Sequence, residues 1–228
     1  MSFHRRVRGT KWMDLAMFFS SLLYPVKGLA GQKEGNERIL DVGCGPYKVR
    51  GATGIDHVSA PGVEVVHDLD NFPWPFGEAS FDRAVCRHSL EHVGNVVRTI
   101  DELHRILRPG GSLEILAPHF SSDNAFSDVT HRWFFGYRSM DDFCANRSAK
   151  YRLGKANFEL EEVRISFLQA AVFANEREEP HSFHGSKLNP FKLVGIESLV
   201  NWFPRSYEHF GAFIFRANEV YYRLHALK

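Results

Sequence analysis

The stretch Ile39-Leu40-Asp41-Val42 runs directly into Gly43-Cys44-Gly45-Pro46, and this junction limits the fold more than any other feature of the chain. A short apolar run ending in a glycine turn is a strand that stops abruptly. Glycines there let the backbone adopt left-handed conformations and approach a ligand closely. Thr53–Ile55 repeats the pattern and ends at Asp56, and Val63–Val66 repeats it again and ends at Asp68. Phe81–Cys86 and Leu113–Ala117 are two further runs, the last preceded by Arg108-Pro109-Gly110-Gly111, which reads as a turn. Between those two runs, residues 93–107 place Val96, Val97, Ile100, Leu103, Ile106 and Leu107 on one helical stripe. Nearly continuous apolar strands separated by helical segments predict a buried, mostly parallel sheet in a doubly wound α/β fold. The segment from Gly43 to Val66 is too short for two crossover helices, so the second crossover is expected as a loop and the first as a shortened one.

Past Pro118 the chain becomes rich in His, Asp, Ser and aromatic residues as far as about residue 150, which suggests an insertion on the substrate side. Residues 158–167 alternate as a strand with a slip near Glu162, residues 177–190 read as a polar loop, and residues 191–202 read as a helix. Gly211–Phe215 is a last strand candidate, and the terminal RANEVYYRLHAL fits strand or helix equally. At the other end, Trp12, Leu15, Ala16, Phe19, Leu22 and Leu23 recur at helical spacing after a basic start. Residues 1–36 are therefore expected to form an N-terminal amphipathic extension or lid, and 37–228 the main domain, with an insertion at about 119–150 and a loop at about 177–190. Asp14 and Lys27 bound an apolar run shorter than the roughly 20 residues a membrane span needs, which leaves only peripheral membrane contact open.

Composition excludes several classes. With 28 basic and 27 acidic residues there is no broad positive field, so a nucleic-acid partner is not expected. The three cysteines, Cys44, Cys86 and Cys144, are too few and too far apart for a disulfide framework, and they suit a reducing, cytoplasmic setting.

In open α/β sheets ligands bind beyond the carboxyl ends of the strands, where Gly43, Asp56, Asp68 and His88 gather. Gly43-Cys44-Gly45 continues as Pro46-Tyr47-Lys48, so the G-x-G-x-x-G dinucleotide pattern is not met. In order, ILDVGCG, GID, VVHDLD, FPWPFGEASFDRAVCRHSLEHV and ELHRILRPGGSLEILAPHF resemble the S-adenosylmethionine-dependent methyltransferases of the seven-stranded, Rossmann-like class. The likeness covers Glu37 to about Arg138. It implies that Asp41, Gly43, Cys44 and Gly45 cradle the methionine part of the cofactor. It further implies that Asp56, with His57 beside it, holds the ribose, that Asp68 and Leu69 meet the adenine, and that His88 lies near the transferred methyl. Two departures from the family pattern stand out: Pro46-Tyr47 replaces the third glycine, and Asp41 and Asp56 are close enough to clip the first helix. The stretch HFSSDNAFSDVTHRWFF and the later Tyr207-Glu208-His209-Phe210 also resemble a small bacterial, type-11-like subset of these enzymes.

Methyl transfer to a hydroxyl of a small-molecule, glycan or natural-product acceptor requires a general base, for which His119 and His131 are the candidates. The spacing His119-x3-Asp123-x4-Asp128-x2-His131 also permits a divalent metal, and a metal-assisted transferase stays open beside the general-base reading. A protein that binds the cofactor without catalysis is a further alternative. His92 is expected to help start the helix after the fourth strand. His88-Ser89-Leu90-Glu91-His92 has the spacing of an inverted zinc-protease pattern, but its place after a sheet strand makes that a coincidence.

Overall fold

The computed structural model describes residues 37–149, 151–167 and 194–228. The N-terminal extension and the 177–190 loop expected from the sequence lie outside the described residues.

Seven strands form one sheet in the order β3-β2-β1-β4-β5-β7-β6. They are β1 (Ile39–Val42), β2 (Thr53–Asp56), β3 (Val65–Val66), β4 (Phe81–Arg87), β5 (Leu107–Pro118), β6 (Phe158–Ser166) and β7 (Glu219–Ala226). The first five pair in parallel, and β7 runs antiparallel to both β5 and β6. This is the Rossmann-like, doubly wound arrangement with a reversed last strand. Leu40, Val42, Ile55, Ala84, Leu113 and Ile115 are wholly buried, as apolar runs in a sheet covered on both faces must be.

Helix α1 (Val96–Ile106) connects β4 to β5. Its start is set by Asn95, whose side chain accepts the Arg98 backbone N–H, and not by His92 three residues earlier. Ile100, Leu103 and Ile106 are buried on its sheet side, each contributing about 2 kcal/mol by leaving water. His104 and Arg105 occupy its last turn, where positive charge suits the helix dipole.

Three expectations need correction. No helix stands between β1 and β2 among the described residues: the first crossover is turns and loop, because ten residues leave no room for a crossover helix. The segment Arg108–Gly111 is not a plain turn but a bulge within β5, since Phe81 faces Leu107 and Arg83 already faces Ser112. Gly211–Phe215 is not a strand. Tyr207–Gly211 is one π-helical turn, closed by the Ala212 N–H on the Tyr207 carbonyl at 2.9 Å, and Phe213, Ile214 and Phe215 stay exposed. The sheet position that the run might have filled is taken by β7, drawn from the ambiguous C-terminal segment. The slip near Glu162 is present as a register shift between Leu160 and Glu162.

Asp82 ties the head of the sheet together. Its carboxylate accepts the Arg38 backbone N–H at 2.8 Å and the guanidinium N–H groups of Arg38 and Arg108. Burial works against the charge, yet these donors outweigh it and hold the carboxyl at about 2. A depressed pKa contributes stability in full above about pH 4 and loses it as pH falls toward 2. Both arginines are half exposed, which screens the effect to about 1 kcal/mol. Asp82→Asn is therefore expected to be less stable than wild type by that amount near pH 6 and equal to it near pH 2. A pH-independent difference in urea midpoints would show that the charge does not matter.

Candidate functional site

The carboxyl ends of β1, β2 and β4 converge on the glycine turn. Gly43 has φ +66° and donates its N–H to the Ile55 carbonyl at 2.8 Å. A Cβ there would stand 2.5 Å from the Ser89 Cβ, so packing against β4's continuation requires glycine. Gly45, at φ +53°, has open space where a side chain would begin. The turn thus offers bare backbone to a ligand.

Asp41 lies beneath that turn, not on it. Its side chain is 1% exposed, and its Oδ2 accepts the Val49 N–H at 2.7 Å and Arg87 Nη2 at 2.6 Å. The same Arg87 nitrogen donates to the Tyr47 carbonyl at 2.7 Å. Asp41, expected at the methionine end of the cofactor, holds the 43–49 loop through Val49 and Arg87. The Cys44 side chain also lies inside the fold. The thiol is buried, and burial with nearby Asp41 and Asp56 pushes it up to about 12, so it stays neutral and turned away from solvent.

Asp56 ends β2 beside the turn. Its Oδ2 accepts the Gly45 N–H at 2.9 Å and its Oδ1 the Val58 N–H at 3.1 Å. His57 Nδ1 lies 3.1 Å from Oδ1, with its ring largely exposed. Asp68 follows β3 as an exposed carboxylate, and Leu69 is half buried with its carbonyl accepting Trp74 Nε1 at 3.1 Å. Asp70 was missed from the sequence. Both of its oxygens accept the Gly94 N–H at 2.8 Å, and one also accepts the Asn95 N–H at 3.3 Å, clamping this loop to the approach of α1. The alternation Asp68-Leu69-Asp70 ahead of the Gly94-Asn95 helix-start signal was its only trace.

His88 sits at φ +50°, unusual for a residue with a side chain. Its Nε2 is 3.0 Å from Glu219 on β7 and its Nδ1 3.4 Å from Glu91. Burial opposes the charge, but the two carboxylates prevail and raise the imidazole to about 9. At neutral pH it is an imidazolium with both nitrogens engaged by carboxylates.

The two candidate bases are both largely buried and differ in their partners, His131 Nε2 standing 3.9 Å from Asp128 Oδ2. His119 is fully buried. Its Nδ1 accepts the Ser121 N–H at 3.2 Å, so Nε2 carries the proton and donates to Glu208 at 3.2 Å. Glu208 also accepts the Tyr137 N–H and leaves no room for a Cβ at Gly136. His119, expected as a base, has both ring nitrogens engaged inside the fold, by Ser121 and Glu208. The contact joins the two segments that resemble the bacterial subset, His119–Phe135 and Tyr207–Phe210, into one structural unit. His131 directs Nδ1 to the Ala125 carbonyl at 3.3 Å and packs edge-on against His92, with ring centroids 4.7 Å apart.

The proposed metal set His119, Asp123, Asp128 and His131 is not gathered. His119 is sealed away, and Asp123 caps a short helical turn, α2 (Asn124–Ser127). Among the described residues, ligand atoms close enough to share an ion come from Glu91, His92 and His131, which lie within 4.8 Å of one another. A separate depression lined by Phe72, Arg98, Asp101, His104 and Arg105 includes none of these residues.

A reversed seventh strand on a parallel sheet, with a glycine turn and acidic strand ends at its carboxyl edge, defines a Rossmann-like cofactor-binding domain of the methyltransferase kind. The family model described as a methyltransferase domain matches residues 10–163, about two thirds of the chain. The chain belongs to this family of S-adenosylmethionine-dependent methyltransferases. It is similar to 2-phytyl-1,4-naphtoquinone methyltransferase of Synechocystis sp., with 35% identity over 65 residues, 28% of this chain and 27% of that protein. The match thus spans about a quarter of that relative's length. A crystal structure of a SAM-dependent methyltransferase from Archaeoglobus fulgidus aligns over 95% of both chains with 14% identity and a TM-score of 0.48. One from Mesorhizobium loti aligns over 94% of this chain and 97% of its own, with 16% identity and a TM-score of 0.41. Among the described residues no helix is long and apolar enough to cross a membrane.

Proposed function

We propose that this chain methylates a hydroxyl of a small-molecule acceptor and that His131 handles the proton. The observation that carries the reading is the cleft edge itself. Bare backbone at Gly45, the Asp56 carboxylate hydrogen-bonded to it and the exposed Asp68 carboxylate follow the carboxyl ends of the first three strands. This donor set fits S-adenosylmethionine. Carboxylates are acceptors suited to a ribose diol and an adenine amino group, and the open space over Gly45 admits the methionine end. When bound, that cofactor supplies a methyl on a sulfonium, already activated for in-line displacement.

The chain's own residues then have to bind, orient and deprotonate. Asp41 and Arg87 hold the turn from below, and Asp70 fixes the adenine-side loop to Gly94. His131 is the better placed of the two candidate histidines. A carbonyl can only accept, so Nδ1 carries the hydrogen toward Ala125 and Nε2 keeps its lone pair. The quinone in the relative's name makes naphthohydroquinones, its reduced and hydroxyl-bearing form, and other hydroxylated aromatics the first acceptors to try, with glycans second.

The test is transfer of labelled methyl to such a panel, with calorimetric titration of S-adenosylhomocysteine in parallel. Micromolar binding and labelling of at least one hydroxylated acceptor are expected. Asp56→Ala should weaken the titration by about tenfold or more, the worth of a charge-assisted hydrogen-bond pair. Unchanged affinity would remove the ribose assignment, and binding without transfer to any acceptor would favour a protein that holds the cofactor without catalysis.

A further inference from the structure

Glu91 is the least explained charged group at the cleft. Its side chain is 1% exposed, Oε1 leans on His88 at 3.4 Å, and Oε2 has no hydrogen-bond partner. A buried carboxylate oxygen without a donor is costly, so something outside the protein is expected to complete it.

The two histidines beside it are prepared in a specific way. Thr130 Oγ1 lies 2.6 Å from Asp128 Oδ1 and 2.8 Å from His92 Nδ1. A carboxylate only accepts, so the Thr130 hydroxyl donates to Asp128 and accepts from His92. That fixes the hydrogen of His92 on Nδ1 and leaves the lone pair on Nε2. The Ala125 carbonyl does the same for His131. An imidazole whose far nitrogen donates to an oxygen is the usual support for a metal-bound histidine. The segments are also stapled together: the Arg132 N–H donates to the Glu91 carbonyl at 2.8 Å, and Trp133 Nε1 donates to the Val93 carbonyl at 2.7 Å.

We propose that Glu91, His92 and His131 form a site for a divalent transition metal of the zinc, cobalt(II) or iron(II) kind. Two imidazoles and one carboxylate are a known donor set for such ions and leave coordination positions open. Metal binding stands on these residues alone. A role for the ion in acidifying an acceptor hydroxyl rests on the methyl-transfer reading, and there His131 acts as ligand instead of base.

The test uses the full chain, stripped with chelator and titrated with cobalt(II) alone. Visible absorption follows the coordination, and a zinc titration is followed by calorimetry. One equivalent is expected to bind, and His92→Ala and His131→Ala should each weaken it by about 100-fold or more. Thr130→Val, at an exposed position, removes the support of His92 together with one surface hydrogen bond to Asp128, and should weaken binding about 10–100-fold with the fold kept. S-adenosylhomocysteine affinity is measured for each protein. Wild type that binds the cofactor analogue but no metal at millimolar cobalt overturns this proposal and leaves the methyl-transfer reading intact. Metal affinity unchanged in both histidine variants also overturns it. Cobalt binding lost in the variants, with analogue affinity kept, supports it, and cobalt binding without analogue binding supports it while removing the methyl-transfer reading.

Discussion

Arg87→Ala is expected to destabilise the fold by about 3–5 kcal/mol, the cost of leaving one member of a buried ion pair behind. Asp41 and Arg87 meet at 2.6 Å with side chains 1% and 6% exposed, so the truncation leaves a carboxylate in a buried site. Domains of this kind are stable by about 5–15 kcal/mol, so the change removes a large share of the total. The same substitution frees the Tyr47 carbonyl, and the 43–49 turn should loosen with it. Urea unfolding followed by circular dichroism measures the first effect, and S-adenosylhomocysteine titration the second. A loss below about 1 kcal/mol would show that Asp41 is satisfied without Arg87. The double variant Asp41→Asn with Arg87→Met should recover part of the stability, since a neutral amide still accepts the Val49 N–H.

Exchange of the two candidate histidines should give opposite results. His131→Gln is expected to lower kcat by about 10²–10⁴ with KM and S-adenosylhomocysteine affinity little changed, the range for loss of a group that handles a proton. His119→Gln should instead cost about 1–3 kcal/mol of stability, because Ser121 and Glu208 lose a buried partner, while kcat in the folded fraction stays near wild type. Labelled-methyl kinetics on the best acceptor, with thermal unfolding beside them, separates the two. A kcat loss confined to His119→Gln would reverse the assignment made from burial. A loss in His131→Gln that chelation of wild type reproduces would assign the histidine to the metal instead of to direct base chemistry.

The chain's own order of apolar runs determined most of the parallel half of the sheet. Ile39–Val42, Thr53–Asp56 and Phe81–Arg87 are legible because a strand buried on both faces must be apolar almost throughout, and because glycine or aspartate marks where each one stops. The carboxyl edge of the sheet was legible for the same reason: Gly43, Gly45, Asp56 and Asp68 stand where strands end. The antiparallel half was not. Residues 219–226 carry no period that separates strand from helix, and only the vacant edge of β5, with β6 ready on the other side, makes them β7. The apolar 211–215 run reads as strand, yet with that place taken it remains an exposed turn after a π-helical one.

The chemistry divides in the same manner. Residue type told which side chains are able to work as bases or ligands, but not which of them face the cleft. Asp41 and His119 have suitable chemistry and are walled in, one by Arg87 and one by Glu208. Glu91, His92 and His131 lie as far as forty positions apart, and a backbone bond from Arg132 to Glu91 brings them together. Spacing along the chain carries local geometry only. Burial and partnership depend on contacts between distant segments, and these the tertiary structure alone decides.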